Sequence, residues 1–404
     1  MSWLVNGQVL DVRSGSIEPR HIHIESGRIV SVSSTLPEGA SREAVDLGGA
    51  FVLPGFFDCH VHICADTYNP DATFGWANAL PGSIAIFAAQ AAHRLLMAGI
   101  TTARDVGGWD YHEIAVREAI RNGWIVGPRL YCAGRILTIT SSSTAYYRGM
   151  YEEADGPDAV RRAARKQLAQ GAQFIKLLAT GAVTSTEYES PMATQFRRDE
   201  IAAAVEVATD NLTYVAAHAH SPSGIRNAVE CGCRSIEHTV YGTEEVYRLM
   251  AERGTFLVPT LCATHALFTE PAFAAKVTAH VRARYEEIRA IHVENIRTAR
   301  RLKVRIVMGS DAGTPGNHCG DNMQELEVMV KQAGFSALEA IRAATLDAAE
   351  MMRIDDQYGC IEAGKAADLI AVRVNPLEDI SALRNVTFVM KGGTTVKNQL
   401  SSAH

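Results

Sequence analysis

Histidines at metal-ligand spacing recur along the chain. Two pairs, His60-Val-His62 and His218-Ala-His220, each have one residue between their members, and His238 follows the second pair. On a β-strand this spacing puts both rings of a pair on the same face. Neutral imidazoles are common ligands of divalent transition metals such as zinc. Metal-assisted chemistry is therefore the first possibility that these residues suggest.

A lysine and an aspartate extend the set. Lys176 lies in the apolar run Phe174-Ile-Lys-Leu-Leu178, where a charged ammonium is costly to bury. Burial lowers a lysine pKa, and the neutral amine can add carbon dioxide to become a carbamate that bridges two metals. A lysine paired with a carboxylate, one reaching past the strand end, and a Schiff-base lysine remain open alternatives. Asp311, in Met308-Gly-Ser-Asp-Ala-Gly313, offers the carboxylate.

Spacing alone is a weak signal, and the chain contains its own control. His21-Ile-His23 has the same pattern, but it lies on an amphipathic run with no partner motif nearby. We interpret that pair as part of a solvated strand face. The metal-ligand interpretation of the other histidines depends on the positions of their motifs relative to one another.

The strands and helices that position these residues are predicted from the pattern of apolar, polar and glycine residues. Residues 1–54 contain short alternating runs separated by glycines, and a similar β texture returns from residue 360 to residue 404. We expect both ends to pair into one composite β-sandwich domain. Residues 55–359 instead alternate short apolar runs with helical patterns, which is typical of βα units and a parallel sheet.

Eight such runs favour a (β/α)8 TIM barrel over a doubly wound sheet, since no Gly-x-Gly-x-x-Gly follows any of them. The predicted barrel strands are Phe57–Val61, Thr101–Arg104, Arg129–Ala133, Phe174–Leu178, Tyr214–Ala217, Arg234–Ile236, Phe256–Pro259 and Arg305–Met308. Working residues of such barrels lie at the carboxyl ends of the strands. The histidines, the lysine and the aspartate are therefore expected on one rim.

Composition excludes several function classes. The 404 residues include 39 Lys+Arg and 45 Asp+Glu, so the net charge is −6, and 47% are hydrophobic. These values exclude a mainly disordered chain and disfavour nucleic-acid binding. The sequence shows no secretory signal and no membrane-length apolar run, and its eight cysteines form no Cys-x-x-Cys pair. We expect a cytoplasmic homo-oligomer with buried free thiols that acts on a small molecule.

Several motifs together resemble the amidohydrolase superfamily, specifically its prolidase and imidazolonepropionase-like branch. The similarity runs from about residue 1 to about residue 395. The motifs are Leu53-Pro-Gly-Phe-Phe-Asp-Cys-His-Val-His62, Phe174-Ile-Lys176, Ala216-Ala-His-Ala-His220, Ser235-Ile-Glu-His238, Gly309-Ser-Asp-Ala-Gly313 and Glu362-Ala-Gly-Lys-Ala-Ala-Asp-Leu-Ile370. The resemblance implies a (β/α)8 barrel with a composite β-sandwich and a binuclear metal centre.

The resemblance also implies the ligands and the mechanism. His60, His62 and Asp311 would bind one divalent ion and His218 and His238 the other, with carboxylated Lys176 bridging them. Zinc is the expected metal. A hydroxide held between the two ions would attack a carbonyl polarised by one of them. Asp311 would take its proton and pass it to the departing amine, although a ligand role without proton transfer is the alternative.

Substrate contacts are harder to predict. His220 faces the same way as His218 and could hold a carbonyl or a carboxylate, or it could be a packed barrel histidine. Tyr241, three residues after His238, would polarise the scissile carbonyl as the family's tyrosine does, unless it is a surface tyrosine. We interpret His318 as a loop residue. Asp58 and Glu237 neighbour ligand histidines and are expected to support them.

One segment departs from the family pattern. Relatives in this branch commonly carry Gly-Gly-His after strand 3, whereas Leu137–Met150 contains no histidine. The loss puts ordinary dipeptidase specificity in doubt. We expect Tyr146, Tyr147 or Arg148 to contact the substrate instead.

The leading prediction is a binuclear metal-dependent hydrolase of amide bonds in dipeptides of the Xaa-Pro kind or in N-acyl amino acids. The alternative keeps the centre and changes the bond to an aryl carbamate, a urea or a lactone. A mononuclear deaminase or an imidazolonepropionase-type cyclic amide hydrolase would have no use for Lys176. A catalytically inactive binding protein is disfavoured, because all six candidate ligands are present.

Overall fold

The structure is a computed structural model that describes residues 2–37, 44–65, 80–145, 147–183, 186–268, 279–314 and 316–400, without the side chains of residues 267 and 281. It contains a parallel barrel in the middle of the chain and an antiparallel-rich sheet built from both ends. Strands and helices are numbered in chain order below. Tyr146, one of the predicted substrate contacts, lies outside the described residues.

Strands from the two ends of the chain form one sheet. They are β1 (Ser2–Leu10), β2 (Ile17–Glu25), β3 (Arg28–Ser33), β4 (Ala44–Asp46), β5 (Phe51–Pro54), β16 (Leu369–Val372), β17 (Phe388–Lys391) and β18 (Thr394–Asn398). The order is β18-β17-β16-β5-β1-β2-β3, with β4 also paired to β1. Antiparallel pairing of β5 with β16, with Val52 opposite Ala371, joins the two ends. The sheet encloses its own apolar core, which includes Leu4, Ile22 and Phe388.

The barrel strands run parallel through the middle of the chain. They are β6 (Phe56–Val61), β7 (Ile100–Asp105), β8 (Arg129–Cys132), β11 (Ile175–Leu178), β12 (Val215–Ala219), β13 (Ser235–His238), β14 (Phe256–Val258) and β15 (Arg305–Ile306). Two short strands, β9 (Ile136–Thr138) and β10 (Tyr151–Glu153), lie between β8 and β11 in sequence. The amide of Gln173 donates to Cys132 O and links β8 to β11. The barrel closes where Cys59 N donates to Met308 O, 3.0 Å away.

Helices alternate with the barrel strands and continue after the last one. They are α1 (Pro81–Met97), α2 (His112–Arg121), α3 (Pro157–Ala169), α4 (Arg198–Asp210), α5 (Pro222–Glu230), α6 (Glu244–Arg253), α7 (Leu261–His265), α8 (Ala279–Arg301), α9 (Gln324–Lys331), α10 (Ala337–Ala343) and α11 (Leu346–Met351). Local sequence explains several boundaries. Pro157 occupies the first turn of α3, and Gly254 ends α6 in the left-handed conformation with φ 65°.

The predicted fold class is confirmed. Each of the eight predicted barrel runs coincides with an observed strand within a few residues, and strands of both ends share one sheet. The domain boundaries at residues 54/55 and 359/360 stay a prediction.

Other expectations about individual side chains can be compared with the structure. All eight cysteines are free thiols, and seven of them are buried. His21 and His23 are half-buried on β2, where His23 stacks on Trp3 with ring centroids 4.4 Å apart. Among the helices of the described ranges, none has the length and apolarity needed to cross a membrane.

Candidate metal centre

The six predicted ligands line a single cavity at the carboxyl ends of the barrel strands. His60 lies on β6, Lys176 on β11, His218 on β12 and His238 at the end of β13, whereas His62 and Asp311 follow strands β6 and β15. The cavity measures about 790 Å³ together with its open mouth. The strand register therefore brings together side chains that are distant in sequence.

The Asp311 carboxylate is the point on which three histidines converge. Its Oδ1 atom lies 3.4 Å from His60 Nε2 and 3.5 Å from His62 Nε2, and Oδ2 lies 3.9 Å from His238 Nδ1. Ligand atoms of His60, His238 and Asp311 all lie within 4.8 Å of one another, which is compatible with one shared cation.

Hydrogen bonds on the far side of each ring orient His60 and His62, the pair at the carboxyl end of β6. His60 Nδ1 lies 2.7 Å from Glu237 Oε2, and His62 Nδ1 lies 2.8 Å from the carbonyl oxygen of Gly107. Both acceptors require the proton to sit on Nδ1. The Nε2 lone pairs of both rings are therefore left facing Asp311, as in metal sites whose histidines are held by outer hydrogen bonds.

The other two histidines are held in the same manner. His238 Nδ1 lies 2.7 Å from Thr260 Oγ1, and His218 Nε2 lies 3.2 Å from the Gly181 carbonyl oxygen. One nitrogen of each ring is thus engaged by the protein, so the other can serve as a ligand. Their rings are close, with centroids 4.5 Å apart. The donor set of nitrogens and carboxylate oxygen fits zinc or a similar divalent ion.

Burial disfavours the charged form of the cavity histidines. Loss of solvation lowers the pKa of His62 to about 4 and that of His218 to about 3. Burial, and then the neighbouring Lys176, also hold the pKa of His60 well below its usual range. An uncharged imidazole is the form that binds a metal.

Lys176 is buried in the cavity wall at 2% exposure. Burial lowers the pKa of its ammonium to about 8, and the charge of Glu237 opposes the shift. A lysine with this pKa is partly neutral near physiological pH, which is the form that can react with carbon dioxide.

Beneath the histidines, Glu237 and Arg104 form a buried ion pair. Arg104 donates two 2.9 Å hydrogen bonds to the Glu237 carboxylate and a further one to Cys59 O. Burial disfavours the Glu237 anion, but Arg104 and His60 overcome this and hold the pKa of its carboxyl well below the usual value. Glu237 therefore links the histidine of the site to a permanent charge.

Asp58 lies on the same strand as His60 and joins β6 to the segment that carries Asp311. Its carboxylate accepts hydrogen bonds from Ser310 N, Ser310 Oγ and Asn322 Nδ2. Asp58 also accepts from the backbone amide of His60 at 3.0 Å. These hydrogen bonds support the loop. In the part of the chain that the structure describes, Asp58 is not among the residues that line the cavity.

The backbone is left-handed at three site positions. Asp311, His238 and Thr260 have φ values of 58°, 72° and 53°. Residues other than glycine rarely adopt this conformation, and its cost is often found at functional sites. Here it turns the chain at the strand ends, and Asp311 N donates to His60 O.

The predicted substrate contacts separate into two groups. His220 lines the cavity, is 3% exposed, and its Nδ1 has no hydrogen-bond partner among the described residues. Tyr241 and Arg148 are absent from that part of the lining which the structure describes, and so is His318, which we interpreted as a loop residue. Arg148 is exposed, and Tyr241 packs beside the apolar cluster around Val240. Their predicted roles stay predictions.

Sequence reasoning missed Tyr285, which reaches the cavity from α8 and is 3% exposed. Tyr151 of β10 also lines it. A tyrosine on an amphipathic helix has the same pattern whether it faces a core or a cavity, so the sequence carried no signal for Tyr285.

Comparisons with known proteins agree with this geometry. A family model described as the amidohydrolase family matches residues 51–396. The chain is 34% identical over 378 residues to an ochratoxinase of Aspergillus niger, and the match covers 86% of this chain and 75% of that protein.

Solved structures give the same result over nearly the whole chain. A Xaa-Pro dipeptidase with methionine bound in its active site has a TM-score of 0.89 and 32% identity, covering 98% of this chain and 100% of that one. A prolidase complexed with N-methylphosphonate-L-proline has the same TM-score, identity and coverage.

Proposed function

Because the chain belongs to the amidohydrolase family and is a hydrolase that acts on C–N bonds, we propose that it cleaves amide bonds of small substrates at a binuclear metal centre. The substrates are dipeptides or N-acyl amino acids. The observation that carries the proposal is the convergence of His60 Nε2 and His62 Nε2 on Asp311 Oδ1. The likeness to an ochratoxinase and to a Xaa-Pro dipeptidase supports it.

The donor set suits two divalent ions, with zinc as our choice. His60, His62 and Asp311 would hold one, His218 and His238 the other, and a carbamate on Lys176 would bridge them. When bound, such ions supply an activated water at neutral pH and polarise a carbonyl oxygen.

Asp311 is the proton carrier in this proposal. Burial raises the pKa of its carboxyl well above the usual value, although the charge of Lys176 opposes the shift. A carboxylate with a raised pKa accepts a proton more readily than an exposed one. Asp311 takes the proton of the attacking water on an Oδ atom and delivers it to the departing amine.

Two neutral side chains bind the substrate carbonyl in this proposal. His220 and Tyr285 line the cavity beside the ligand histidines, and His220 Nδ1 lacks a partner among the described residues. A hydroxyl or N–H that is already oriented in a water-poor site stabilises the oxyanion that develops during hydrolysis. We assign this function to the Tyr285 hydroxyl, with His220 at the other side of the carbonyl.

A carbamate, urea or lactone substrate is the second candidate. The observation that favours it is the absence of the family's histidine from Leu137–Met150. The same centre would serve these bonds equally well. Cytoplasmic location and homo-oligomeric assembly stay predictions.

The test combines metal analysis with a hydrolysis screen. Protein reconstituted with zinc should hold about two equivalents per chain and cleave compounds among dipeptides, N-acyl amino acids and aryl carbamates. Lys176→Ala should lose the second equivalent and the activity. Lys166→Ala, which changes an exposed lysine on α3, is the matched control.

Two metals and full activity in Lys176→Ala would overturn the carbamate assignment. One equivalent in the wild-type protein would favour a deaminase-like centre instead. Cleavage of aryl carbamates alone would transfer the proposal to the second candidate.

A further inference from the structure

Five large side chains line the cavity that also contains the candidate metal ligands. We call them the aromatic wall, and they are Trp109, Ile136, Tyr147, Met150 and Tyr151. All five are buried, with exposures between 2% and 8%. The wall is continuous with the metal site, because the same cavity is lined by His62 and Lys176.

Contacts within the wall orient its side chains. The rings of Tyr147 and Tyr151 stack with centroids 4.7 Å apart and an interplanar angle of 28°. Trp109 Nε1 donates a 3.1 Å hydrogen bond to the carbonyl oxygen of Arg148, which orients its indole. Parallel pairing of β10 with β9 places Tyr151 opposite Ile136. These contacts fix the orientation of the ring faces.

Four of the five wall residues come from the segment that lacks the family's histidine or directly border it. Leu137–Met150 contributes Tyr147 and Met150, and Ile136 and Tyr151 flank it. The segment and its two flanking residues thus contribute large, uncharged side chains to the cavity lining.

The wall carries no charge. The charged side chains among the described lining residues are Lys176 and Asp311, and both belong to the metal centre. Arg148 belongs to the same segment, but its side chain is exposed. Moving a carboxylate against buried apolar side chains without a partner is unfavourable. An aromatic ring can instead stack on Tyr147 and Tyr151 or contact the indole edge.

We propose that the aromatic wall selects substrates with an uncharged aromatic or bulky apolar group next to the scissile bond. The inference rests on the proposed function, since it names the substrate class of the same site. It favours N-aroyl amino acids and anilides over substrates whose group at this position is small or acidic.

Binding to the wall can be measured without catalysis. Benzamide titrated into the protein should quench the fluorescence of Trp109, whereas acetamide and succinamate should not at the same concentrations. Trp109→Phe should remove the quenching. Trp124→Phe, which changes an indole that is 77% exposed, should leave it. Equal responses to benzamide and succinamate would overturn the proposal.

Hydrolysis provides the second test. N-benzoylglycine and acetanilide place the ring on the acyl and amine side, and N-acetylglycine and N-succinylglycine lack it. At least one aromatic compound should exceed both others by about tenfold in kcat/KM. Met150→Ala should reduce that ratio through KM. Met192→Ala, at an exposed methionine, serves as the control.

Different results would contradict the aromatic wall and the proposed function. Quenching by benzamide without hydrolysis of any compound would support the wall and contradict the proposed function. Hydrolysis with N-succinylglycine equal to N-benzoylglycine and acetanilide would contradict the wall and leave the function intact.

Discussion

The side chain of Glu237 connects the candidate metal centre to the barrel interior. It accepts from His60 on one side and from Arg104 on the other, and both partners are buried. A histidine held by a carboxylate has a fixed orientation and a more basic free nitrogen. The position of His60 Nε2 therefore depends on an ion pair outside the cavity.

Glu237→Gln should be strongly destabilising, because it leaves the Arg104 charge buried without a counterion. We expect a loss of about 3–5 kcal/mol in the free energy of unfolding, measured by urea denaturation. Metal affinity should fall about 10- to 100-fold. Glu206→Gln removes the exposed ion pair with Arg161 and should cost less than about 1 kcal/mol. Equal losses in both variants would contradict this role.

The proposed contact between a tyrosine and the substrate carbonyl can be tested by removing single hydroxyls. Tyr285→Phe should lower kcat about 100-fold while retaining the packing of the ring against Val183 and Ile288. Tyr241→Phe should have the smaller effect, because its side chain is outside the described cavity lining. Steady-state kinetics of both variants shows which of the two hydroxyls matters for kcat. A larger loss in Tyr241→Phe would return the role to Tyr241, as the family resemblance implies.

At the level of elements, the loop after β15 approaches the histidine pair closely. Gly313 has φ 122°, and a Cβ atom there would lie 2.6 Å from His62 Cβ and 2.7 Å from His62 O. Only glycine allows the two backbones to come this near. The loop that carries Asp311 is thus held against the end of β6.

Gly313→Ala should displace His62 and weaken metal binding more than it weakens the fold. Zinc affinity measured by competition with a chelator should fall at least tenfold, a change of about 1.4 kcal/mol or more. Gly334→Ala is the matched control, since Gly334 also has positive φ but a Cβ atom there would have no other atom within 4 Å. Its zinc affinity should equal that of the wild type. An undisturbed affinity in Gly313→Ala would show that the contact is dispensable.

The barrel strands and the shared cavity could be predicted from the sequence because two simple geometric rules apply. Alternation puts His218 and His220 on one face, and a parallel barrel collects strand ends on one rim. The loops obey no such rule. The direction of Tyr241 depends on backbone turns at His238 and Thr239, both left-handed, which no local pattern predicts. Tyr285 lies on a helix whose apolar positions serve core and cavity alike.

At the scale of the whole molecule, partly buried charged groups connect the terminal sheet to the barrel. Lys391 of β17 donates a 2.6 Å hydrogen bond to Gly127 O, and Arg129 of β8 pairs with Asp368 at 2.8 Å. Burial, reinforced by the charge of Arg129, lowers the pKa of Lys391 to about 8. We call this contact between the terminal sheet and the barrel the seam. It contains an amine, that of Lys391, whose charged form is disfavoured by its surroundings.

The seam should give the protein a specific pH dependence of stability. The folded pKa of Lys391 is lower than its unfolded value of about 10.5, so the unfolded chain binds more protons between pH 8 and 10.5. Its contribution to stability therefore rises with pH in that window. The difference in Tm between wild type and Lys391→Met should shift in favour of the wild type from pH 8 to pH 10. Parallel pH profiles would contradict the assignment.

The closure of the barrel has a consequence for the order of events during synthesis. Asp58 and Ser310, whose hydrogen bond holds the first barrel strand to the segment carrying Asp311, are 252 positions apart. A ribosome-bound chain that has not yet reached Asp311 exposes His60 and His62 without their carboxylate partner. Under the proposed function, tight metal binding therefore requires translation to have passed Asp311, when most of the barrel has already been made.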